Sequence, residues 1–489
     1  MTYRTDDSLE SGLITRKLLA KGKHIGRLAR IMHGAHTYHS PLSERWTLLV
    51  LVDSLCIFAA IWLANWMTAS GQAPALWLAM PPLLIGWWVL AHFNDLYDVP
   101  SSLNVQTSAV RVAFSAVLGL AACLGISFFG SILLPTRFLL IFLGCALLLI
   151  LAWRFTYASQ SQLLFSAHRV LLVGIEKERG DSIKRMLGTA VHLNYQILGF
   201  VDDAAEEHTT NLPQLGRLAD LPDLIDELGI HEIVVATHRI PPADLINSLI
   251  KCQGQGVRVS WLADLYENFQ RSVPVEEIEP TWAFNAIQGQ AVFTRLQLVA
   301  KRALDLCIAI SALPALLIIM PLVALAIRLD SPGAIFYRQI RAGRGNTPFT
   351  IFKFRTMRPD AEAAGKPKWA QANDPRITRV GRLLRKTRLD ELPQVLNILR
   401  GDMSFVGPRP ERPEFVAELE QTIPLYRTRL LVKPGLTGWA QIHYGYGNTE
   451  EDALRKLQFD FYYVRHWSLW RDIYILFQTI AVVIQCKGI

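Results

Sequence analysis

Thr387 to Pro410 reads TRLDELPQVLNILRGDMSFVGPRP and holds two adjacent acids, a helix start and an arginine set between prolines. Asp390 and Glu391 head the segment LDELPQVLNIL. Pro393 lacks an N–H and so fits a first helical turn but not a helix interior. The dyad is therefore expected at a helix N-terminus, where free N–H groups and the positive dipole end favour phosphate and ionised acids. An ionised Asp390 is a usable nucleophile toward phosphorus, since a carboxylate can hold a phosphoryl group and pass it on. Glu391 offers a carboxylate to Mg²⁺, which takes one or two such groups together with phosphate oxygens. Farther on, Gly407, Pro408, Arg409 and Pro410 form a stiff loop whose one guanidinium suits bidentate phosphate contact. A bare Asp-Glu pair usually does no more than cap a helix; the charge around this one argues for chemistry.

Between Arg338 and Arg400 there are 15 Lys or Arg against 5 Asp or Glu, whereas the whole chain carries a formal net charge of +8. A solvated face intersperses both signs, so this one-sided run implies an anionic partner: nucleic acid, lipid headgroups or a phosphorylated substrate. Charge alone does not choose among them.

The chain has 489 residues, and a hydrophobic content of 51% is high for a soluble protein. The first 46 residues carry eight Lys or Arg and read as a cytoplasmic tail, too long a lead for a cleaved signal peptide. Four apolar runs follow, near 47–69, 75–93, 110–134 and 138–153, and are expected to form a four-helix transmembrane bundle over 47–154 that returns the chain to the cytoplasm. Asp53, near the start of the first run, is the one Asp, Glu or Lys that interrupts them. That sparsity gives no proton relay or ion path, which a transporter or channel would need. The cysteines have neither metal-type spacing nor a disulfide framework and read as reduced core residues.

From about 165 to 282 the pattern turns to short apolar strands between amphipathic helices: HRVLLVG, YQILGFVDD, HEIVVAT and VRVSWL. This is a Rossmann-like α/β domain without a dinucleotide fingerprint, because Gly174 is followed by IEKERG rather than by closely spaced glycines. No convincing Tyr-x-x-x-Lys occurs in it either, which argues against a nucleotide-sugar dehydratase and for a regulatory or structural domain.

The apolar run 303–329 is long enough to span, but Lys301 and Arg302 precede it and Arg328, Arg338 and Arg341 follow it. A single crossing would leave one basic cluster outside. Pro314 and Pro321 each remove a helical hydrogen bond, so a re-entrant helix with both ends on one face is expected, bent at or between these prolines. A hairpin is expected around Ala342 to Asn346, its second strand placing Lys353 and Arg355 on one face as phosphate contacts. Arg382 and Arg385 lie at helical spacing, with Arg388 a turn beyond. KPGLTGWAQ reads as a tight polar turn, and 456–485 as amphipathic helices whose aromatics suit a headgroup-level surface.

Residues 296–489 resemble the monotopic phosphoglycosyl transferases that place a sugar phosphate on undecaprenyl phosphate. The likeness rests on KRALDLCIA, RLDSPG, FKFRTM, LDELPQVLN, GDMSFVGPRP and KPGLTGWAQ, in that order. The whole layout resembles the large subgroup that starts bacterial exopolysaccharide or O-antigen units, and PRPERPEF and NTEEDALRKLQFDFYYV resemble members from exopolysaccharide operons. The resemblance implies a ping-pong reaction in which Asp390 attacks the β-phosphorus of a UDP-sugar, UMP leaves, and polyprenyl phosphate takes the sugar phosphate. Glu391 would bind Mg²⁺, and Lys353, Arg385 and Arg409 would hold phosphates. It further implies a multi-pass protein of the bacterial inner (cytoplasmic) membrane with its catalytic domain on the cytoplasmic face. No nucleic acid partner is implied, and a homodimer stays open. A non-catalytic assembly scaffold is the remaining alternative, and neither the sugar nor the pathway can be read from any motif.

Overall fold

The computed structural model describes residues 41–68, 73–129, 136–164, 167–174, 183, 195–203, 212–237, 243–275, 295–358, 374–445, 447 and 449–484. The tail expected over 1–46 lies almost wholly outside them. The chain divides into two compact units, Met1–Leu265 and Tyr266–Ile489.

The first unit opens with four long helices: α1 (Pro41–Thr68), α2 (Ala73–Phe93), α3 (Val105–Phe129) and α4 (Thr136–Leu164). Leu49, Ile57 and Ile61 of α1 pack with Trp87 and Ala91 of α2, Val112 of α3, and Phe138, Ile150 and Tyr157 of α4. Outward-facing positions are apolar too: Leu51, Leu55, Trp62 and Leu148 are all exposed. Helices apolar all round are suited to lipid rather than water. Among the described residues, stretches long and apolar enough to cross a membrane occur at Glu44–Thr68 in α1 and Arg137–Ser161 in α4, whereas α2 and α3 show shorter apolar stretches, Pro81–Phe93 and Val105–Ala121. Asp53 is buried against Arg154, with Nη2 2.6 Å from Oδ2, and Arg154 also donates to Leu96 O at 3.0 Å and Ser102 Oγ at 3.3 Å. An acid in an apolar bundle needs such a partner.

A five-stranded parallel sheet follows in the order β3-β2-β1-β4-β5, formed by β1 (His168–Val173), β2 (Tyr195–Val201), β3 (Gln214–Gly216), β4 (Glu232–Val235) and β5 (Arg258–Trp261), with α5 (Leu221–Leu228) and α6 (Ala243–Gly254) between strands. The strands read as continuous apolar runs because a parallel sheet of this kind is covered on its faces. Leu171, Val173, Ile233 and Val235 pack on Leu221 and Ile225 of α5 and on Leu245, Leu249 and Cys252 of α6. β1 ends at Gly174, which needs its positive φ of 70° to leave the strand. Helix α7 (Leu262–Gln270) contains the division between units.

The second unit begins its described helices with α8 (Arg295–Asp330), 36 residues that continue through Pro314 and Pro321. Among the described residues it is the third helix long and apolar enough to cross a membrane. Its middle is bare, with Leu317 74% and Ile318 68% exposed, while Val323 and Ile327 nearer its end pack on Phe354 and Leu384. Both ends are tied to this unit by polar bonds. Lys301 meets Asp472 at 2.6 Å, Arg302 donates to Ile398 O at 2.5 Å, and Asp305 accepts from Ser404 Oγ and Phe405 N, both at 3.0 Å. At the other end Asp330 Oδ2 accepts from Val380 N at 3.0 Å.

The antiparallel hairpin β6 (Phe336–Ala342) and β7 (Pro348–Phe354) turns through Arg344–Asn346. Then come α9 (Arg379–Lys386), a 3₁₀ turn Leu389–Gln394, α10 (Val395–Arg400), β8 (Ser404–Val406), α11 (Pro413–Thr422), β9 (Gly435–Thr437), α12 (Trp439–His443), α13 (Glu450–Arg465) and α14 (Leu469–Ile484). KPGLTGWAQ is thus not a turn: its middle is strand β9, parallel to β8, and its end is helix α12. The aromatics of α13 also depart from expectation. Phe461 and Tyr463 are buried, and Phe461 joins Val273, Val275, Val416, Leu419 and Tyr426 in the core.

Candidate active site

Three segments bring the predicted residues together. β7 delivers Lys353. Helix α9 delivers Arg385; it is capped by Thr378, whose side chain accepts from Gly381 N, and it packs so closely on the end of β7 that a Cβ at Gly381 would lie 2.1 Å from Thr356 O. Arg385 Nε then donates to Thr356 Oγ1 at 2.9 Å. At Arg388 the backbone turns left-handed, φ 60° and ψ 13°, and leads directly into the 3₁₀ turn that carries the dyad. Arg388 therefore does not continue the helical row of Arg382 and Arg385. A non-glycine residue held there stores on the order of 1 kcal/mol, and such strain gathers at functional sites. The first turn is 3₁₀ rather than α, a tightening common where a helix begins and one compatible with the N–H that Pro393 lacks.

Glu391 is clamped. Its Oε1 accepts from Lys353 Nζ at 3.0 Å and from Arg409 Nη2 at 2.5 Å, and its Oε2 from Arg409 Nη1 at 3.4 Å. Asp390, equally buried, receives no hydrogen bond from any described residue. The two acids are accordingly driven apart. Burial raises the Asp390 pKa and the neighbouring Glu391 charge raises it further, against Lys353, Arg385 and Arg409. Burial would raise Glu391 as well, but Arg409 and Lys353 overcome it and hold that carboxyl well below its usual range. Lys353 is itself lowered by burial, with Glu391 opposing, while the Glu391 charge lifts Arg409 in spite of burial.

Glu391 Oε2, with one long bond, keeps lone-pair capacity for a cation. Among the described residues no three His, Cys, Asp or Glu side chains converge on one point as a metal cage. A cation bound through one carboxylate and substrate phosphates needs no such cage.

Arg355 is placed elsewhere. β7 ends at Phe354, and Arg355 N still donates to Ile335 O at 2.9 Å. The Arg355 guanidinium donates to Pro332 O at 2.9 Å and to Ser331 O at 2.7 Å, closing the turn after α8. Pro314 and Pro321 lie within α8, apart from these contacts. One residue that sequence reasoning passed over holds the site together. Asn397 Oδ1 accepts from Phe352 N at 3.1 Å and its Nδ2 donates to Thr350 O at 2.7 Å, so a helix side chain serves as the next strand for β7. Its signal was a lone amide in the apolar run VLNIL, a pattern that asks for buried partners.

The loop bearing Arg409 is built by close backbone approach. A Cβ at Gly435 would lie 2.1 Å from Gly407 N, and one at Gly438 would lie 2.2 Å from Gly407 O. Side chains at these positions would part β8 from β9.

A buried carboxylate with no hydrogen bond from any described residue thus lies beside a cation-clamped one, in a unit that carries a bare apolar helix. Comparison with known proteins gives the class to which such a chain belongs. The Bacterial sugar transferase family matches residues 296–486, and a CoA-binding domain family matches 92–257. The undecaprenyl-phosphate glucose phosphotransferase of Komagataeibacter xylinus is 30% identical over 487 residues, covering 92% of this chain and 86% of that protein. The UDP-N-acetylgalactosamine-undecaprenyl-phosphate N-acetylgalactosaminephosphotransferase of Aeromonas hydrophila is 36% identical over 298 residues, 60% of this chain and 68% of its own. Exopolysaccharide production protein PSS of Rhizobium leguminosarum bv. phaseoli is 40% identical over 191 residues, only 38% of this chain but 96% of that protein. The chain belongs to the bacterial sugar transferase family, and it is a transferase.

Proposed function

We propose that this protein transfers a sugar 1-phosphate from a UDP-sugar to undecaprenyl phosphate, as the first membrane step of exopolysaccharide, O-antigen or capsule synthesis. The observation that carries the reading is the carboxylate of Asp390, with no hydrogen bond from any described residue, beside the clamped carboxylate of Glu391. Asp390 attacks the β-phosphorus of the donor; the bond from that phosphorus to the bridging oxygen breaks, and UMP departs with the oxygen. A phosphate oxygen of the polyprenyl carrier then attacks the same phosphorus and breaks the aspartyl–phosphorus bond, restoring the carboxylate. Lys353, Arg385 and Arg409 draw the phosphates toward Asp390 and neutralise charge as it develops. Glu391 orients Lys353 and Arg409, and its carboxylate would be the protein's hold on Mg²⁺. When bound, Mg²⁺ supplies Lewis-acid polarisation of the phosphoryl oxygens.

The membrane arrangement belongs to the same proposal. α1 to α4 form four spans of the inner membrane, and α8 enters and leaves on the cytoplasmic face. Support comes from the polar ties at both ends of α8 to one folded unit and from the bare apolar middle between them. UMP release from a panel of UDP-sugars by full-length protein in nanodiscs containing undecaprenyl phosphate tests the reaction, together with a search by intact mass for a sugar-phosphate adduct at Asp390. Absence of UMP with every donor refutes it.

A further inference from the structure

Arg409 projects from a segment whose backbone is gripped at nearly every peptide. Lys301 Nζ donates to Val406 O at 3.0 Å, Gly407 N to Thr437 O at 2.9 Å and Gly435 N to Pro408 O at 2.9 Å. Two guanidiniums take the next two carbonyls: Arg429 Nη2 donates to Arg409 O at 2.9 Å, and Arg341 Nη1 donates to Pro410 O at 3.1 Å. Of these, Arg429 is built most deliberately. Only 6% of its side chain is exposed; it donates to Tyr426 Oη at 2.6 Å and pairs with Asp460 Oδ2 on α13 at 2.9 Å. A buried Arg-Asp pair rarely stabilises a fold beyond what apolar side chains of similar volume would give. Stability alone is thus a weak reason for one here.

We propose that Arg429, seated by Asp460 and Tyr426, is a positioning residue of the transferase site. It fixes the carbonyl of Arg409 and so aims the Arg409 guanidinium at Glu391 and at the donor phosphate. The inference rests on the reading above that Arg409 contacts that phosphate. Four residues form one relay, from Asp460 through Arg429 to the Arg409 backbone and on to Glu391, and the last pair sits beside the proposed nucleophile. Guanidinium forks are directional, so a small rotation of the Arg409 backbone sacrifices the bidentate geometry while leaving its charge in place. Burial pushes Asp460 up to about 6, against the Arg429 charge, with Glu411 raising and Lys456 lowering it.

The test uses full-length protein in nanodiscs. Arg429→Met combined with Asp460→Leu removes the pair without stranding a buried charge. The expected variant melts within about 3 °C of the parent and keeps KM for the UDP-sugar within about threefold, but loses kcat by at least about tenfold. Placed in an Arg409→Lys background, where the fork is already gone, the same two substitutions should cost less than about threefold. A kcat retained within twofold, or the full tenfold loss repeated in the Arg409→Lys background, overturns the proposal. Should the double variant fail to fold, Arg429→Lys is measured in both backgrounds under the same criteria. If the parent protein releases no UMP, the assigned reaction fails separately. Affinity for inorganic pyrophosphate, measured by calorimetry, then decides: equal values with and without the Arg429–Asp460 pair overturn the positioning role.

Discussion

Asp390 and Glu391 are neighbours in the chain and both are buried, yet among the described residues only the Glu391 carboxylate finds hydrogen-bond donors, and their carboxyl pKa values move in opposite directions. Environments that separate two acids in this way mark distinct chemical roles. Asp390→Asn should abolish UMP release and the adduct together, a loss of at least about 10³-fold, because an amide does not form the acyl phosphate. Turnover near the parent rate would sink the covalent mechanism.

The pH profile follows from the same pair. As the proposed nucleophile, Asp390 would attack only when ionised, and burial lifts its pKa above the ordinary value of about 4, so kcat should fall with acidification over a range above that value. Arg385 is one of the cations that oppose the rise. Arg385→Gln should therefore shift the acid limb upward, and a limb left in place would exclude Asp390 as its origin.

Glu391→Gln removes the countercharge of Lys353 and Arg409 and the proposed metal ligand. The rate should drop by roughly 10²–10³-fold and half-maximal activity should require more Mg²⁺. A Mg²⁺ titration superimposable on that of the parent would remove Glu391 as a ligand. Arg409→Lys should lower kcat by roughly 10–10²-fold while leaving measurable turnover, since a point charge does not reproduce the two contacts Arg409 makes with Glu391.

Truncation locates the independent unit. Val273 and Val275 are fully buried in the core of the second unit, and Trp439 Nε1 donates to Arg271 O at 2.9 Å. A chain beginning at Tyr266 should keep UMP release in detergent. A chain beginning near Gln288 lacks both valines and should be less stable by a few kcal/mol, about 1–3 for each buried side chain removed. Equal melting of the two would show that the 266–275 segment is dispensable.

Cysteines introduced near Gln290 and at Asn346 should be labelled only from the cytoplasmic side if α8 is re-entrant. Replacing Pro314 and Pro321 together with Leu restores two helical N–H groups and should favour a full span, with transfer lost and part of the population labelled at 346 from outside. External labelling at 346 in the unaltered protein would refute the re-entrant reading.

Much of the fold was legible because its elements follow single periodicities. The runs HRVLLVG, YQILGFVDD, HEIVVAT and VRVSWL all became strands of the parallel sheet, and the hairpin turned where Gly343 and Gly345 stand. What escaped was set by partners distant in sequence. GLT gave no strand signal, because β9 exists through its approach to Gly407 rather than through apolar alternation. The alternation that grouped Arg355 with Lys353 could not foresee that the carbonyls of Ser331 and Pro332 take up the Arg355 guanidinium. Residues 271–275 offered no local hint of packing on α11 and α13. Within the site, the meeting of Lys353, Asp390, Glu391 and Arg409 could be anticipated by charge type, whereas the division between a free and a clamped acid required the atoms.

The Asp53–Arg154 pair has a consequence for biosynthesis. Its two members are separated by 101 residues of sequence, so α1 leaves the ribosome well before the guanidinium that neutralises its acid exists. At about 5–20 residues per second that interval lasts roughly 5–20 s. Under the proposed four-span arrangement, α1 would during this time carry an uncompensated carboxyl in an apolar setting, with its placement provisional. Arrival of α4 would complete the pair and fix that placement, so the last of the four helices would set the moment at which the first is committed.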